Sequence, residues 1–122
     1  MDYIKFKVLF YQKQDGSEPA KAFLDSLDKK MRAKMIRTIE TLQNNGTDLR
    51  EPYSKYLEDG IFELRAKVGS DISRVLYFFF VGQRVVLTNG FVKKTQRTPV
   101  REIALAKKYR HDFLQKEEQC HE

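Results

Sequence analysis

The sequence predicts an α+β fold: an antiparallel sheet of about four strands, with an N-terminal helical hairpin and a C-terminal helix. Three observations lead there. Residues 3–11 alternate apolar and polar side chains, the period-two signature of a half-buried strand. Residues 61–93 hold three sheet-forming runs separated by glycine-led turns. Between these regions and after them, apolar residues recur every three or four positions, as on one face of a helix.

In the first strand Ile4, Phe6, Val8 and Phe10 alternate with charged neighbours such as Lys5 and Lys7. The polar break Gln12–Gly16 follows. Ser17 is suited to cap a short helix with Pro19 in its first turn and Phe23, Leu24 and Leu27 as its apolar stripe. Asp28 starts a second helix, in which Met31, Met35, Ile39 and Leu42 form a core-facing row and Gly46 stands at the stop. The short connection predicts that the two helices pack as an antiparallel hairpin.

A loop is expected at 47–59. Strands then follow at about 61–68, 72–81 and 84–93, and Gly69-Ser70 and Gly82-Gln83 occupy the places of two-residue hairpin turns. The run Val75–Val81 is apolar on both alternating sets, so its strand is expected to be central and covered on both faces. Thr98-Pro99 opens the last helix, with Ile103, Leu105, Ala106, Tyr109 and Phe113 as its apolar residues and a polar tail from about 116.

The 122 residues read as one domain, 1–122. No apolar run approaches the roughly 20 residues that span a bilayer, and the alternating N-terminus is unlike a signal peptide. A cytoplasmic protein without a membrane partner is expected. A single cysteine, Cys120, fits a reducing compartment. With two histidines beside it, a Cys/His zinc site is not expected, nor is any cofactor. The net charge of +6 points to a polyanionic partner. Basic tails and solvated helix faces produce the same total, so the placement of the cations carries more weight.

That placement is specific. A two-residue turn at Gly69-Ser70 pairs Val68 with Asp71 and sets Arg65 directly opposite Arg74. Like charges so placed repel, which calls for an anion between them or a nearby carboxylate, and Glu63 is on the same face. A two-residue turn at Gly82-Gln83 sets Arg74 opposite Phe91, with Asn89 and Lys93 on that face too. A three-residue turn at either place would break this register, since a one-residue slip flips every side chain. Lys67 and Arg97 border the face; the first lies beside a turn and the second near the start of a helix, where both also read as ordinary solvated charges. For Arg65 and Arg74 the alternative to anion binding is a structural ion pair with Glu63 or Asp71.

Arginines converging with a lysine and a carboxylate suit cleavage of RNA by its own 2′-hydroxyl. That reaction needs a base for the 2′-proton, charge stabilisation at the phosphorane and a proton for the leaving 5′-oxygen, and it needs no metal. Arginine clamps phosphate but is a poor base. A lysine crowded by cations gives up its proton more readily; Lys93 is the candidate, with Glu63 as the other possible base. His111 reads as a helix-surface residue and Tyr77 as core packing.

Glu63-Leu64-Arg65, Arg74-Val75-Leu76-Tyr77 and Gly90-Phe91-Val92-Lys93-Lys94-Thr95-Gln96, followed by Thr98-Pro99, resemble in order and spacing the RelE/HigB superfamily of bacterial toxins, in its phage-derived HigB-like branch. The resemblance spans nearly the whole chain. It implies the toxin of a type II toxin–antitoxin system that cleaves mRNA in the ribosomal A site and is restrained by a helix-turn-helix antitoxin. By position, Arg65 and Arg74 resemble the family's phosphate-contacting arginines, and Lys93 and Lys94 the basic pair closing the fourth strand. Together these four form the expected catalytic set, with Glu63, Asn89, Lys67 and Arg97 as RNA contacts. One departure stands out: many relatives carry histidine where this chain has Asn89, and an amide transfers no proton at neutral pH. A non-catalytic RNA- or ribosome-binding protein on the same scaffold is therefore the competing reading. Lys29, Lys30, Arg32, Lys34 and Arg37, on the polar sides of the first helices, are expected to form the antitoxin's docking surface.

Overall fold

The computed structural model describes residues 5–93 and 97–120. A five-stranded mixed sheet carries helices on both faces. β1 (Lys7–Phe10) leads into α1 (Pro19–Ser26) and α2 (Lys29–Asn45), then a short 3-10 turn at Gly46–Asp48. β2 (Ser54–Glu58), β3 (Ile61–Val68), β4 (Asp71–Phe80) and β5 (Arg84–Lys93) follow, and α3 (Val100–Cys120) closes the chain.

The strand order is β1-β5-β4-β3-β2. β2 to β5 form an antiparallel meander, and β1 joins β5 in parallel. The expected four-stranded antiparallel sheet is thus corrected twice. The supposed loop at 47–59 supplies an extra strand, whose mostly exposed residues hide any alternation, and the helices carry the chain far enough for β1 to return parallel. The helical hairpin is also corrected. α1 lies mainly over β5 and α2 mainly over β3, so each helix buries its stripe on the sheet rather than chiefly on the other. Residues 116–120, expected as a tail, continue α3.

Local chemistry explains most boundaries. Asp28 caps α2 by accepting a hydrogen bond from the Met31 N–H at 2.8 Å. Ser17 does not cap α1, because its hydroxyl donates to Asp15 Oδ1 at 2.6 Å and Glu18 takes the cap position. Gly69 adopts φ 63°, which a type II′ turn requires, and Val68 pairs with Asp71 as expected.

The second hairpin differs. Phe80 pairs with Arg84, so three residues form the turn, with Gln83 at φ 57°. A bulge between Leu76 and Tyr77 on one strand and Leu87 and Asn89 on the other then absorbs Thr88 and restores the register. Arg74 consequently still pairs with Phe91. The two departures from the simple ladder cancel.

The sheet's alternation feeds two cores. Leu64, Val75, Tyr77, Val85 and Leu87 face α1 and α2, meeting Leu24, Met31, Met35 and Leu42. Ile61, Leu76, Phe78 and Val86 face α3, meeting Ala106, Tyr109 and Phe113. β4 is covered on both sides, as its doubly apolar run predicts. α3 crosses the second face and is tied at both margins. Lys107 and Arg110 pair with Glu58 and Asp59 at 2.6 and 2.8 Å, while Asp112 accepts from Tyr11 at 2.6 Å and Lys116 donates to the Gln12 carbonyl at 3.0 Å. Among the described residues no helix is long and apolar enough to cross a membrane.

Candidate functional site

The basic residues converge at one end of the sheet, on the face that α3 crosses. Arg65 stands directly opposite Arg74. The Arg65 N–H turns away from β4 and donates to the Tyr53 carbonyl at 2.9 Å. The two arginines therefore form a non-hydrogen-bonded pair, the kind that brings side chains closest. Their repulsion is met by Glu63, whose Oε1 accepts from Arg65 Nε at 2.6 Å and lies 3.9 Å from Arg74 Nε. Its other oxygen, Oε2, accepts from the Thr98 hydroxyl.

Burial divides this cluster. Glu63 is fully buried and Arg74 is 1% exposed, whereas the Arg65 side chain keeps 22% of its surface open. Burial lowers the affinity of Arg74 for its proton and neighbouring Arg65 lowers it further, while Glu63 works in the opposite sense. The Arg74 guanidinium also lies 5.9 Å from the centre of the Phe91 ring. Beside the arginines, Asn89 is buried, and its Nδ2 donates to the Glu102 backbone carbonyl and to Glu102 Oε1 at 3.3 and 3.1 Å. The start of α3 thus roofs the cluster through Thr98 and Glu102.

Glu63, Arg65, Arg74 and Asn89 share the face that their register implies. The structure buries Arg74 and Glu63 and leaves Arg65 as the partly exposed member of the group. Lys93 closes β5 in register with Ile72, next to the Arg74–Phe91 pair. Lys94 lies outside the described residues. Lys67 and Arg97 are exposed and stand apart from the buried group; Arg97 borders a cleft between β2 and the start of α3, lined also by Lys55, Tyr56 and Val100. His111 is exposed on α3, and Tyr77 is core, with its hydroxyl bonded to that of Ser54. Arg32, expected on an exposed docking face, instead donates to the carbonyls of Leu24, Asp25 and Leu27 and closes the end of α1.

Thr98 and Glu102 escape sequence reading as members of the site. Their only signal is position, beside Pro99 and in the first helical turn, and nothing local says that this turn lands on β3 and β5.

Chemically, Arg65 and Arg74 share the carboxylate of Glu63, a second carboxylate, that of Glu102, stands at the roof beside Asn89, and Arg65 is the partly open cation of the group. The fold and cluster define a small α+β protein with a largely buried Glu63–Arg65–Arg74 charge cluster at one end of a mixed sheet. The chain belongs to the phage-derived Gp49-like protein family (DUF891), whose model matches residues 22–111, from α1 to the middle of α3. No curated protein matches the chain.

Proposed function

We propose that this chain is the toxin of a type II toxin–antitoxin system and acts in the cytoplasm as a ribosome-dependent, metal-independent mRNA endoribonuclease of the RelE/HigB type. The observation that carries this reading is the Arg65–Arg74 cross-strand pair, held by Glu63 with Lys93 closing the next strand. Membership in a phage-derived family supports it. Arg65 receives the scissile phosphate, and Arg74 raises the positive potential from behind. Lys93 and Lys94 are the candidates for proton transfer, since Asn89 has no proton to give at neutral pH.

A second reading, an RNA- or ribosome-binding protein without catalysis, is favoured by the burial of Glu63 against Arg65 and Thr98. A carboxylate so engaged is poorly placed to act as a base.

Induced expression tests the two. Growth arrest with cuts inside translated mRNA, and fragments ending in 2′,3′-cyclic phosphate, support the nuclease. Ribosome binding without such ends supports the alternative. Arg65→Gln is the informative variant because the side chain is partly open; full toxicity with Arg65→Gln would sink the assigned site. Loss of buried Arg74 would confound folding with function.

A helix-turn-helix antitoxin is the proposed partner. With Arg32 engaged in the fold, exposed Lys30 and Arg37 are the better probes of helix docking. Reversing their charge should weaken rescue and leave toxicity intact; unchanged rescue would favour direct covering of Arg65.

A further inference from the structure

We infer that a groove beside the free end of β3 binds a nucleotide of single-stranded RNA next to the one held at Arg65, with its base on Tyr53 and its phosphates on Lys34 and Lys67. This inference rests on RNA being the substrate proposed above and deepens that reading.

β2 pairs with β3 only from Ser54 opposite Leu64 to Glu58 opposite Ile61. Past Arg65, the outer edge of β3 therefore has no strand beside it among the described residues. The Arg65 N–H points outward to Tyr53, so the Lys67 N–H, two residues further along, faces the same open side. α2 runs along this gap. The result is a groove of about 330 Å³ between Lys34 and Thr38 of α2, Tyr53 before β2, Arg65 and Lys67 of β3, and Ile72 of β4. Its volume falls in the range of small-ligand clefts, roughly 300–1,000 Å³.

The lining selects the ligand. Among the described residues, three cations and no carboxylate border the groove. Lys34 and Lys67 are exposed, and neither makes an ion pair with the described residues. Tyr53 keeps 50% of its surface open; Tyr56 is as exposed, at 55%, but Tyr53 is the ring that lines this groove. An open ring flanked by unengaged ammonium groups is the arrangement that holds single-stranded nucleic acid: the ring stacks a base of any identity, and the cations follow the backbone. An acidic peptide would use the charges and gain little from the ring. Arg65 belongs both to this groove and to the Glu63–Arg74 cluster, so one strand can pass from the first to the second without leaving positive surface.

The test is fluorescence anisotropy of a labelled hexa-adenylate with the full chain, at several potassium chloride concentrations, together with an abasic hexamer of the same backbone. Tyr53→Ala should weaken hexa-adenylate binding about tenfold, whereas Tyr53→Phe, which keeps the ring, stays within about twofold of wild type. The abasic hexamer should bind wild type as weakly as hexa-adenylate binds Tyr53→Ala. Replacing Lys34 and Lys67 together by alanine should reduce the slope of log affinity against log salt by about 1.4, roughly 0.7 for each cation lost. All these side chains are exposed, and melting curves matching wild type exclude a folding effect. If Tyr53→Ala or the double lysine variant binds as wild type does, the groove is wrong. A wild type that cleaves mRNA on ribosomes but ignores hexa-adenylate also overturns the groove, while the proposed function stands. A wild type that neither binds nor cleaves RNA removes both.

Discussion

The hydroxyl of Thr98 donates to Glu63 Oε2 across thirty-five residues of chain, and the same carboxylate receives Arg65 on its other oxygen. One side chain in the middle of β3 thus joins the start of α3 to the arginine pair. The Glu63 carboxylate supplies the internal counter-charge that makes two facing arginines tolerable, and it holds the roof over them.

Glu63→Gln keeps the shape and a partner for Thr98 but removes the charge. Arg65 and Arg74 would then face one another with their counter-ion gone. A loss of about 3 kcal/mol in unfolding free energy is expected, in the range for breaking a buried ion pair from one side, measured by urea denaturation. An unchanged midpoint would mean that another group neutralises the pair.

Thr88 is the residue absorbed by the β5 bulge, and its buried hydroxyl donates to the Leu76 carbonyl at 3.1 Å. Thr88→Val preserves the shape and β propensity while removing the donor. A destabilisation of about 1–2 kcal/mol is expected in the same assay. A neutral result would show that the bulge is held by packing alone.

Gly90 lies beneath α1, where an added Cβ would overlap the Phe23 ring. Gly90→Ala should cost about 1–3 kcal/mol through overpacking. Combining it with Phe23→Ala should give a cost smaller than the sum of the single changes, because the second substitution removes the clash. Strict additivity would contradict the contact.

Two contacts give stability a defined pH dependence. The Tyr11 hydroxyl bond, followed by that of Lys116, holds the Asp112 carboxyl below its usual range. Burial, and then Asp112, push the Tyr11 hydroxyl upward. Burial likewise pushes Tyr77 up to about 12, against the opposing pull of its bond to Ser54. A depressed carboxyl contributes stability that is fully present above its unfolded value, about pH 4, and is lost as pH falls through the folded one. A raised phenol contributes stability that is fully present below about pH 10 and is lost as pH climbs through the folded value. Melting temperature against pH should therefore form a plateau that falls at both ends. Tyr11→Phe should flatten both limbs and Tyr77→Phe the alkaline one alone; a Tyr11→Phe profile with an unaltered acid limb would contradict the Asp112 contact.

Much of this was legible in the chain because it is written in local pattern. The period of 61–68, the Gly69-Ser70 turn, Asp28 as a cap and the doubly apolar run of β4 depend on neighbours a few residues away, and each reappears in the structure. The opposition of Arg65 and Arg74 follows from turn length alone. β2 was not legible, because Ser54–Glu58 is an edge strand with little to bury. Nor was the bulge at Thr88, since the ladder must be closed at both ends before an extra residue is forced out of it.

The sequence by itself determined which side chains share a face in β3 and β4, because alternation and turn length set register, whereas in β5 the bulge at Thr88 turns Leu87 and Asn89 to opposite faces. Only the tertiary structure decided which of them meet solvent. Arg74 and Glu63 are buried because α3, anchored by Lys107, Arg110 and Asp112 at the margins of the sheet, brings Thr98 and Glu102 down onto residues more than thirty and ten positions away. Local periodicity carries no information about such a crossing. It depends on where the last helix finds the largest apolar face left to cover, and that face exists only once the five strands have assembled.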